Sequence, residues 1–181
     1  MKTKQVKTNN SCYLLTTKHN IFEVARQIIT AKEKGSSVII PHVCNNINLF
    51  GAGFAKAIAD KYPIVKENFH MLSTKAKLGY TQFVEAEKES VYGHRIIFAN
   101  MVSQNGIRNQ KNPRPLNYGA LTYCMYNVKS YMKEFEKNNG SRIEIHCPKF
   151  GSGLAGGNWD FISELIRDIW NECKTVYVYT V

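Results

Sequence analysis

Two segments of the sequence place several glycines after a short apolar run and before a helix-like pattern. The first glycine loop is NNINLFGAGFAKAI, residues 45–58, and the second glycine loop is GSGLAGGNW, residues 151–159. Glycine lacks a Cβ atom, so its backbone can adopt positive φ angles and approach a ligand closely. Free N–H groups at the start of a helix, together with the helix dipole, attract an anion. A tight turn is the better explanation of one such loop alone, but two of them, both after buried strands, predict two walls of one cleft around a diphosphate.

Neither glycine loop matches a common nucleotide-binding motif. The Gly-Lys-Ser/Thr sequence of a P-loop occurs in neither loop. Gly51-Ala52-Gly53 is followed by Lys56 where the dinucleotide fingerprint requires a third glycine. The anion site is therefore predicted from the backbone of the loops and not from a side-chain signature.

His42 is the candidate for proton transfer. It lies near the end of the apolar run 36–44, directly before the first glycine loop. Imidazole can accept a proton near neutral pH, although a lone histidine among apolar residues is more often a hydrogen-bonded structural residue. The five cysteines are scattered without a CxxC pair, and no metal-ligand spacing is visible. We therefore expect buried thiols, no metal and no cofactor.

The elements that would position these residues alternate between strand-like and helix-like patterns. Strands are predicted over 11–17, 36–44, 81–87, 94–102, 142–148 and 175–181. Helices are predicted over 21–34, 53–62, 64–77, 118–137 and 159–172. This alternation predicts an α/β fold of three layers, with helices on both faces of the sheet. Ligands of such folds bind outside the carboxyl ends of the strands, which is where strands 36–44 and 142–148 enter the two glycine loops.

Composition narrows the class of protein. The 181 residues fit one domain, 1–181, and a hydrophobic content of 44% excludes a disordered chain. No apolar run approaches a membrane span, and no secretory signal is visible, so a cytoplasmic location is expected. The formal charge of +10 favours anionic ligands. Lysine and arginine cluster at the N-terminus and in IRNQKNPR, residues 107–114, without a recognised nucleic-acid motif.

Four segments, occurring in this order, resemble the macrodomain family, most closely its branch of ADP-ribose 1″-phosphate phosphatases and terminal ADP-ribose glycohydrolases. They are IIPHVCNNINLFGAGFAKAI, IIFANMVSQNGI, PRPLNYGALTYCM and PKFGSGLAGGNWDFISELI. The TVYVYTV ending is also typical, so the resemblance spans about residues 37–181, whereas the first 35 residues match less well. It implies a three-layer α/β/α fold with a mixed, mostly parallel sheet. It also implies ADP-ribose or ADP-ribose 1″-phosphate as the ligand, and ADP-ribosylated macromolecules as further partners.

The resemblance implies which residues contact the ligand. Asn20, followed by Ile21, occupies the place of an aspartate that accepts a hydrogen bond from adenine, and a helix N-cap is the alternative role for Asn20. Asn45 and Asn46 lie where relatives contact the distal ribose. The diphosphate and that ribose would be surrounded by Gly51, Ala52, Gly53, Phe54, Gly151, Ser152, Gly153, Leu154 and Ala155. A core position is the alternative for Phe54.

Three departures from the family pattern each remove a carboxylate. Asn158 stands in GGNW where hydrolysing relatives commonly have an acid, and Asn46 stands where an acid often follows the CN pair. Ala155 stands where glycohydrolases carry an aspartate. An amide cannot act as a general base. His42 remains, placed like a histidine of some phosphatase relatives, with Asn46 and Asn158 as the other candidate catalytic positions.

The resulting hypothesis is an ADP-ribose-binding protein that hydrolyses ADP-ribose 1″-phosphate to ADP-ribose and phosphate. The alternatives are a non-catalytic binder of ADP-ribose or a related NAD-derived nucleotide, an ADP-ribosyl ester hydrolase, and a basic nucleic-acid-binding domain. Asn100, Gln104 and Asn105 are expected in a polar loop at the edge of the cleft.

Overall fold

A mixed sheet forms the centre of the computed structural model, which describes residues 12–31, 35–173 and 175–180. Within these residues the strands are β1 (Tyr13–Thr17), β2 (Ser37–Asn45), β3 (Thr81–Lys88), β4 (Arg95–Gln104), β5 (Ile143–Pro148) and β6 (Thr175–Tyr179). The helices are α1 (Ile21–Ile29), α2 (Gly53–Lys61), α3 (Pro63–Met71), α4 (Tyr118–Asn139) and α5 (Trp159–Ile169). The strand order is β1-β6-β5-β2-β4-β3, and only β3 runs antiparallel to its neighbour.

Strand β2 is central because its side chains are apolar on both faces. Successive side chains of a strand point to opposite faces of the sheet. Ile39 accordingly packs in one hydrophobic core, together with residues of α4 and α5. Val38 and Ile40 pack in the other core, together with residues of α1, α2 and α3. Two buried cores on opposite sides of the sheet make the fold a three-layer α/β/α arrangement, as predicted.

Several element boundaries differ from the sequence prediction for local reasons. The predicted helix 64–77 ends at Met71, and a short 3-10 turn follows at Ser73–Lys75, where Ser73 has a φ of 46°. The predicted helix 21–34 ends at Ile29. Residues 32–34 lie outside the described residues, as do Ser11, Val181 and the basic N-terminal cluster. The prediction that two strands each lead into a glycine loop is unaffected, since β2 and β5 end directly before the two loops.

The topology brings the two glycine loops to the same edge of the sheet. β2 and β5 are adjacent and parallel, pairing Ser37 with Ile143 and Ile39 with Ile145. Their carboxyl ends, Asn45 and Pro148, therefore lie at one side of the molecule. Among the described residues, none of the helices has the length and apolar character needed to cross a membrane.

Candidate functional site

A cleft of about 750 Å³ opens at the carboxyl ends of β2 and β5, and both glycine loops line it. The predicted binding residues that line this cleft are Asn45, Gly51, Ala52, Gly53, Phe54, Gly151, Gly153, Leu154 and Ala155. The loops face each other closely, because a Cβ atom built on Gly53 would lie 3.2 Å from Leu154 Cδ1. The structure thus brings together residues that are about a hundred positions apart in the sequence.

The structure requires glycine at some positions of the two loops and not at others. Gly156 has a φ of 71°, and a Cβ atom there would lie 2.8 Å from the Pro113 carbonyl oxygen. A Cβ atom on Gly157 would lie 2.7 Å from the Gly151 carbonyl oxygen. Gly51 and Gly153 are different, since neither has a positive φ and an added Cβ atom would meet nothing within 4 Å. Neither packing nor backbone conformation requires glycine at these two positions.

The side chains around the cleft make it electropositive. Lys66 of α3, Arg108 of the β4–α4 loop and Lys149 after β5 all line the cleft. Among the described residues, none of these three cations forms a salt bridge, and no aspartate or glutamate lines the cleft. The Lys149 ammonium lies 5.7 Å from the centre of the Trp159 ring, an arrangement that leaves its charge uncompensated. An anionic ligand is therefore favoured here.

His42 lines the cleft but is almost fully buried, with 2% of its surface exposed. It begins a chain of side-chain hydrogen bonds through Asn100 and Gln82. Gln82 Nε2 donates to the Asn68 carbonyl oxygen at 2.9 Å, and Asn100 Nδ2 donates to Gln82 Oε1 at 3.0 Å. Because the last acceptor is a carbonyl, the chain fixes both amides and turns Asn100 Oδ1 towards His42 Nε2, at 2.6 Å. Neutral His42 therefore carries its proton on Nε2 and leaves Nδ1 as the acceptor.

The surroundings of His42 keep its ring uncharged. Burial lowers the pKa of His42 to about 4, and hydrogen bonds to Asn100 and to the Val43 backbone oppose this effect only partly. The ring also meets Phe50 and Phe54 edge-on, at centroid distances of 5.6 and 6.0 Å. At neutral pH the imidazole is uncharged, donating through Nε2 and able to accept through Nδ1, so the positive charge of the cleft comes from lysine and arginine.

The two asparagines at the end of β2 have structural partners. Asn45 Oδ1 accepts hydrogen bonds from the backbone N–H groups of Ile47 and Leu49, at 3.2 and 3.0 Å, and so shapes the first glycine loop. Asn46 does not line the cleft and instead bonds to the β4–α4 loop. Contacts of either residue with a ribose, and a catalytic role for Asn46, stay predictions.

Four further predicted site residues also lie outside the lining of the cleft. Asn20 and Asn158 are helix N-caps, whose side-chain oxygens accept hydrogen bonds from the backbone of Phe22 and Glu23 in α1, and of Phe161 in α5. Ser152 Oγ donates to the Lys149 carbonyl oxygen at 2.8 Å. Ile21 is buried in the core beside α1. Their contacts with adenine or phosphate, and a catalytic role for Asn158, stay predictions.

Some cleft residues were not identified from the sequence. Lys66 and His70 line the cleft, but their positions in the sequence follow no pattern that points to a site. Ile107 and Arg108 belong to the basic cluster 107–114, and Lys149 and Phe150 directly precede the second glycine loop, but none of these four was singled out as a site residue.

The placement of Asn100 corrects an expectation. Asn100 was expected in a polar loop, but it lies within β4 and is fully buried, because the parallel register sets it beside His42. Among the described residues, no group of three or more His, Cys, Asp or Glu side chains is arranged to hold a metal ion.

Comparison with known sequences finds two distant relatives of similar length. An uncharacterised 17.5 kDa protein of enterobacteria phage T4 is 26% identical over 144 residues, covering 77% of this chain and 84% of the phage protein. An ADP-ribose 1″-phosphate phosphatase of Candida albicans is 23% identical over 146 residues, covering 80% of this chain and 89% of the phosphatase. No protein-family model matches the chain.

Solved structures with the same architecture cover nearly the whole chain. A protein of unknown function from Bacteroides thetaiotaomicron superimposes with a TM-score of 0.73 at 25% identity, covering 94% of this chain and 99% of that protein. A macrodomain protein from Streptomyces coelicolor superimposes with a TM-score of 0.68 at 24% identity, covering 93% and 99%. DarTG from Thermosipho africanus, solved in complex with ADP-ribose, gives a TM-score of 0.67 at 14% identity, covering 96% of this chain and 43% of DarTG. The chain therefore has the macrodomain fold, which confirms the resemblance found in its sequence.

Proposed function

We propose that this protein binds ADP-ribose in the cleft between the two glycine loops. The carrying observation is that these loops face each other across an electropositive cleft, with Gly51 and Gly153 open towards free space. Backbone N–H groups of such loops suit the oxygens of a diphosphate. A volume of about 750 Å³ accommodates a ligand of nucleotide size. The complex of the structurally similar Thermosipho DarTG with ADP-ribose supports this assignment.

A second candidate function is hydrolysis of ADP-ribose 1″-phosphate to ADP-ribose and inorganic phosphate. The activity named for the Candida relative supports it. The three cleft cations support it as well, because they carry more positive charge than a diphosphate alone requires. In this proposal a water attacks the terminal phosphorus, and the bond from phosphorus to the ribose oxygen breaks. His42 Nδ1 accepts the proton of the water and then returns it to the ribose oxygen, which leaves as a hydroxyl. The lack of a carboxylate among the described lining residues favours binding without turnover, so both outcomes require a test.

Calorimetry with ADP-ribose, combined with phosphate release from ADP-ribose 1″-phosphate in the same samples, tests both candidates. We expect micromolar binding of ADP-ribose. Phosphate release that is lost in both His42→Ala and His42→Gln, while ADP-ribose binding persists, would establish the phosphatase. Binding without release would leave a non-catalytic binder. No binding of either nucleotide would contradict the proposed function and leave only the fold.

Replacement of Asn158 by aspartate tests whether a catalytic acid is missing at this position. We expect folding to be retained, because a carboxylate also caps α5 and is favoured by the helix dipole. We expect phosphate release to stay unchanged, because the side-chain oxygen is directed to the Phe161 N–H, 3.1 Å away, and not into the cleft. Phosphate release is measured in parallel for the control variant Asn20→Asp, which makes the same change at the N-cap of α1. A gain specific to Asn158→Asp would instead assign the missing acid to residue 158.

A further inference from the structure

The basic segment IRNQKNPR, residues 107–114, lies at the edge of the cleft and supplies one of the three cations that line it. Of the segment's own three cations, only Arg108 lines the cleft, together with the neighbouring Ile107. The Arg114 guanidinium lies 5.0 Å from the centre of the Tyr118 ring, and Lys111 is exposed. One cation of this segment is therefore singled out for contact with a bound ligand.

Asparagine side chains hold the backbone of this segment in a defined shape. Asn112 Nδ2 donates to the carbonyl oxygens of Asn105 and Ile107, at 2.8 and 3.2 Å. Asn109 Oδ1 accepts from the backbone N–H groups of Lys111 and Asn112, at 2.9 and 3.0 Å. These bonds fix the backbone on both sides of Arg108, so less conformational entropy is lost when its guanidinium binds an anion.

Asn46 fastens the segment to the first glycine loop. Its Oδ1 accepts from the Gly106 N–H at 2.8 Å, and its Nδ2 donates to Asn105 Oδ1 at 3.1 Å. The Asn46 N–H also donates to the Gln104 carbonyl oxygen at 3.0 Å. The two residues directly before Ile107 and Arg108 are thus tied to the end of β2. Asn46 consequently sets the position of Arg108 relative to the first glycine loop.

The charge of Arg108 exceeds the needs of a diphosphate held by backbone N–H groups. Arg108 forms no salt bridge with another described residue, and Lys66 and Lys149 already supply two cations from other elements. A guanidinium presents paired N–H donors that match the oxygens of a phosphate. We propose that Arg108 determines specificity for a phosphate group outside the diphosphate, and that Asn46 is its positioning residue. This inference rests on the proposed binding of ADP-ribose.

The test compares the affinities for ADP-ribose and for ADP-ribose 1″-phosphate, measured by calorimetry with the full-length protein. We expect Arg108→Gln to weaken binding of ADP-ribose 1″-phosphate about tenfold, the loss typical of one charge-assisted contact, and to change ADP-ribose binding much less. Lys111→Gln is the matched control, since it removes the same charge from the same segment outside the cleft lining. Lys111→Gln should leave both affinities and their ratio unchanged.

Asn46→Ala provides the readout that separates positioning from general stability. We expect it to lower the preference for ADP-ribose 1″-phosphate as Arg108→Gln does, while ADP-ribose still binds. The double variant should then be no worse than Arg108→Gln alone, because both changes remove the same contact.

Different results overturn different parts of the assignment. An unchanged affinity ratio in Arg108→Gln, with both nucleotides bound by the wild type, would overturn the role of Arg108 and leave the proposed function intact. A normal ratio in Asn46→Ala would overturn the positioning role alone. Failure of the wild-type protein to bind either nucleotide would overturn the proposed function, and the assignment with it.

Discussion

Replacing Gly153 by aspartate should reduce the affinity for ADP-ribose on the order of a hundredfold without unfolding the protein. The position tolerates a side chain, since its φ is not positive and an added Cβ atom meets nothing within 4 Å. The new carboxylate would lie in the second glycine loop, against the proposed diphosphate. Two like charges about 5 Å apart in a medium of effective dielectric constant about 20 repel by roughly 3 kcal/mol, which corresponds to this loss. Calorimetry at low salt measures it.

Two companion variants separate charge, size and stability. Gly153→Asn has nearly the size of the aspartate without its charge, so its smaller loss of affinity measures the steric part. Gly157→Ala should instead lower the free energy of unfolding by roughly 1–3 kcal/mol, because its Cβ atom would collide with Leu116 and with the Gly151 carbonyl oxygen. Equal affinities of Gly153→Asp and Gly153→Asn would contradict an anionic group at this loop.

The buried imidazole of His42 should make the protein less stable as the pH falls from about 6.5 to about 4. A histidine in the unfolded chain takes up a proton near pH 6.5, whereas burial lowers the pKa of folded His42 to about 4. Between these values the unfolded state binds more protons, so protonation favours unfolding. The full effect amounts to roughly 3 kcal/mol for a shift of this size. Above pH 6.5 neither state holds the proton, and this contribution no longer changes.

Urea unfolding between pH 7 and pH 5 measures the effect of His42. His42→Gln keeps an amide that can donate to Asn100 Oδ1 but does not titrate. We expect this variant to lose part of its stability at pH 7 and to show a flatter decline towards pH 5 than the wild type. His19→Gln is the control, since the side chain of His19 is exposed and its removal should leave the decline unchanged. An unaltered slope in His42→Gln would contradict a neutral, buried His42.

The tautomer of neutral His42 bears on the proposed hydrolysis. The hydrogen-bond chain from His42 through Asn100 and Gln82 to the Asn68 carbonyl oxygen predicts the Nε2-protonated form of the neutral ring. Imidazole ¹⁵N chemical shifts distinguish the two tautomers directly. A proton on Nδ1 would leave His42 without the acceptor that the proposed attack of water requires.

The local sequence was sufficient to predict the class of fold and the location of the cleft. The apolar run of β2 is buried on both faces, and an apolar strand followed by glycines and a helix has few other architectures available. Gly51 and Gly153 were also predicted from residue type alone, because a residue without a Cβ atom lets the backbone approach a ligand closely. Segment ends were less predictable, since a turn such as the one at Ser73 depends on local dihedral angles that no residue type enforces.

Only the tertiary structure decided which side chains meet. The sheet register sets His42 beside Asn100 and Asn100 beside Gln82, three residues from three strands, and so fixes the tautomer of the histidine. Burial of the ring in the folded protein lowers its pKa. Chain folding likewise brings Lys66, Arg108 and Lys149 to one cleft from three separate elements. It also turns the Asn158 side chain to the backbone of α5. Residue types along the chain were thus sufficient to predict the two glycine loops at the cleft. The charge of the cleft and the protonation of His42 depend on long-range contacts, which a periodic pattern along the chain does not encode.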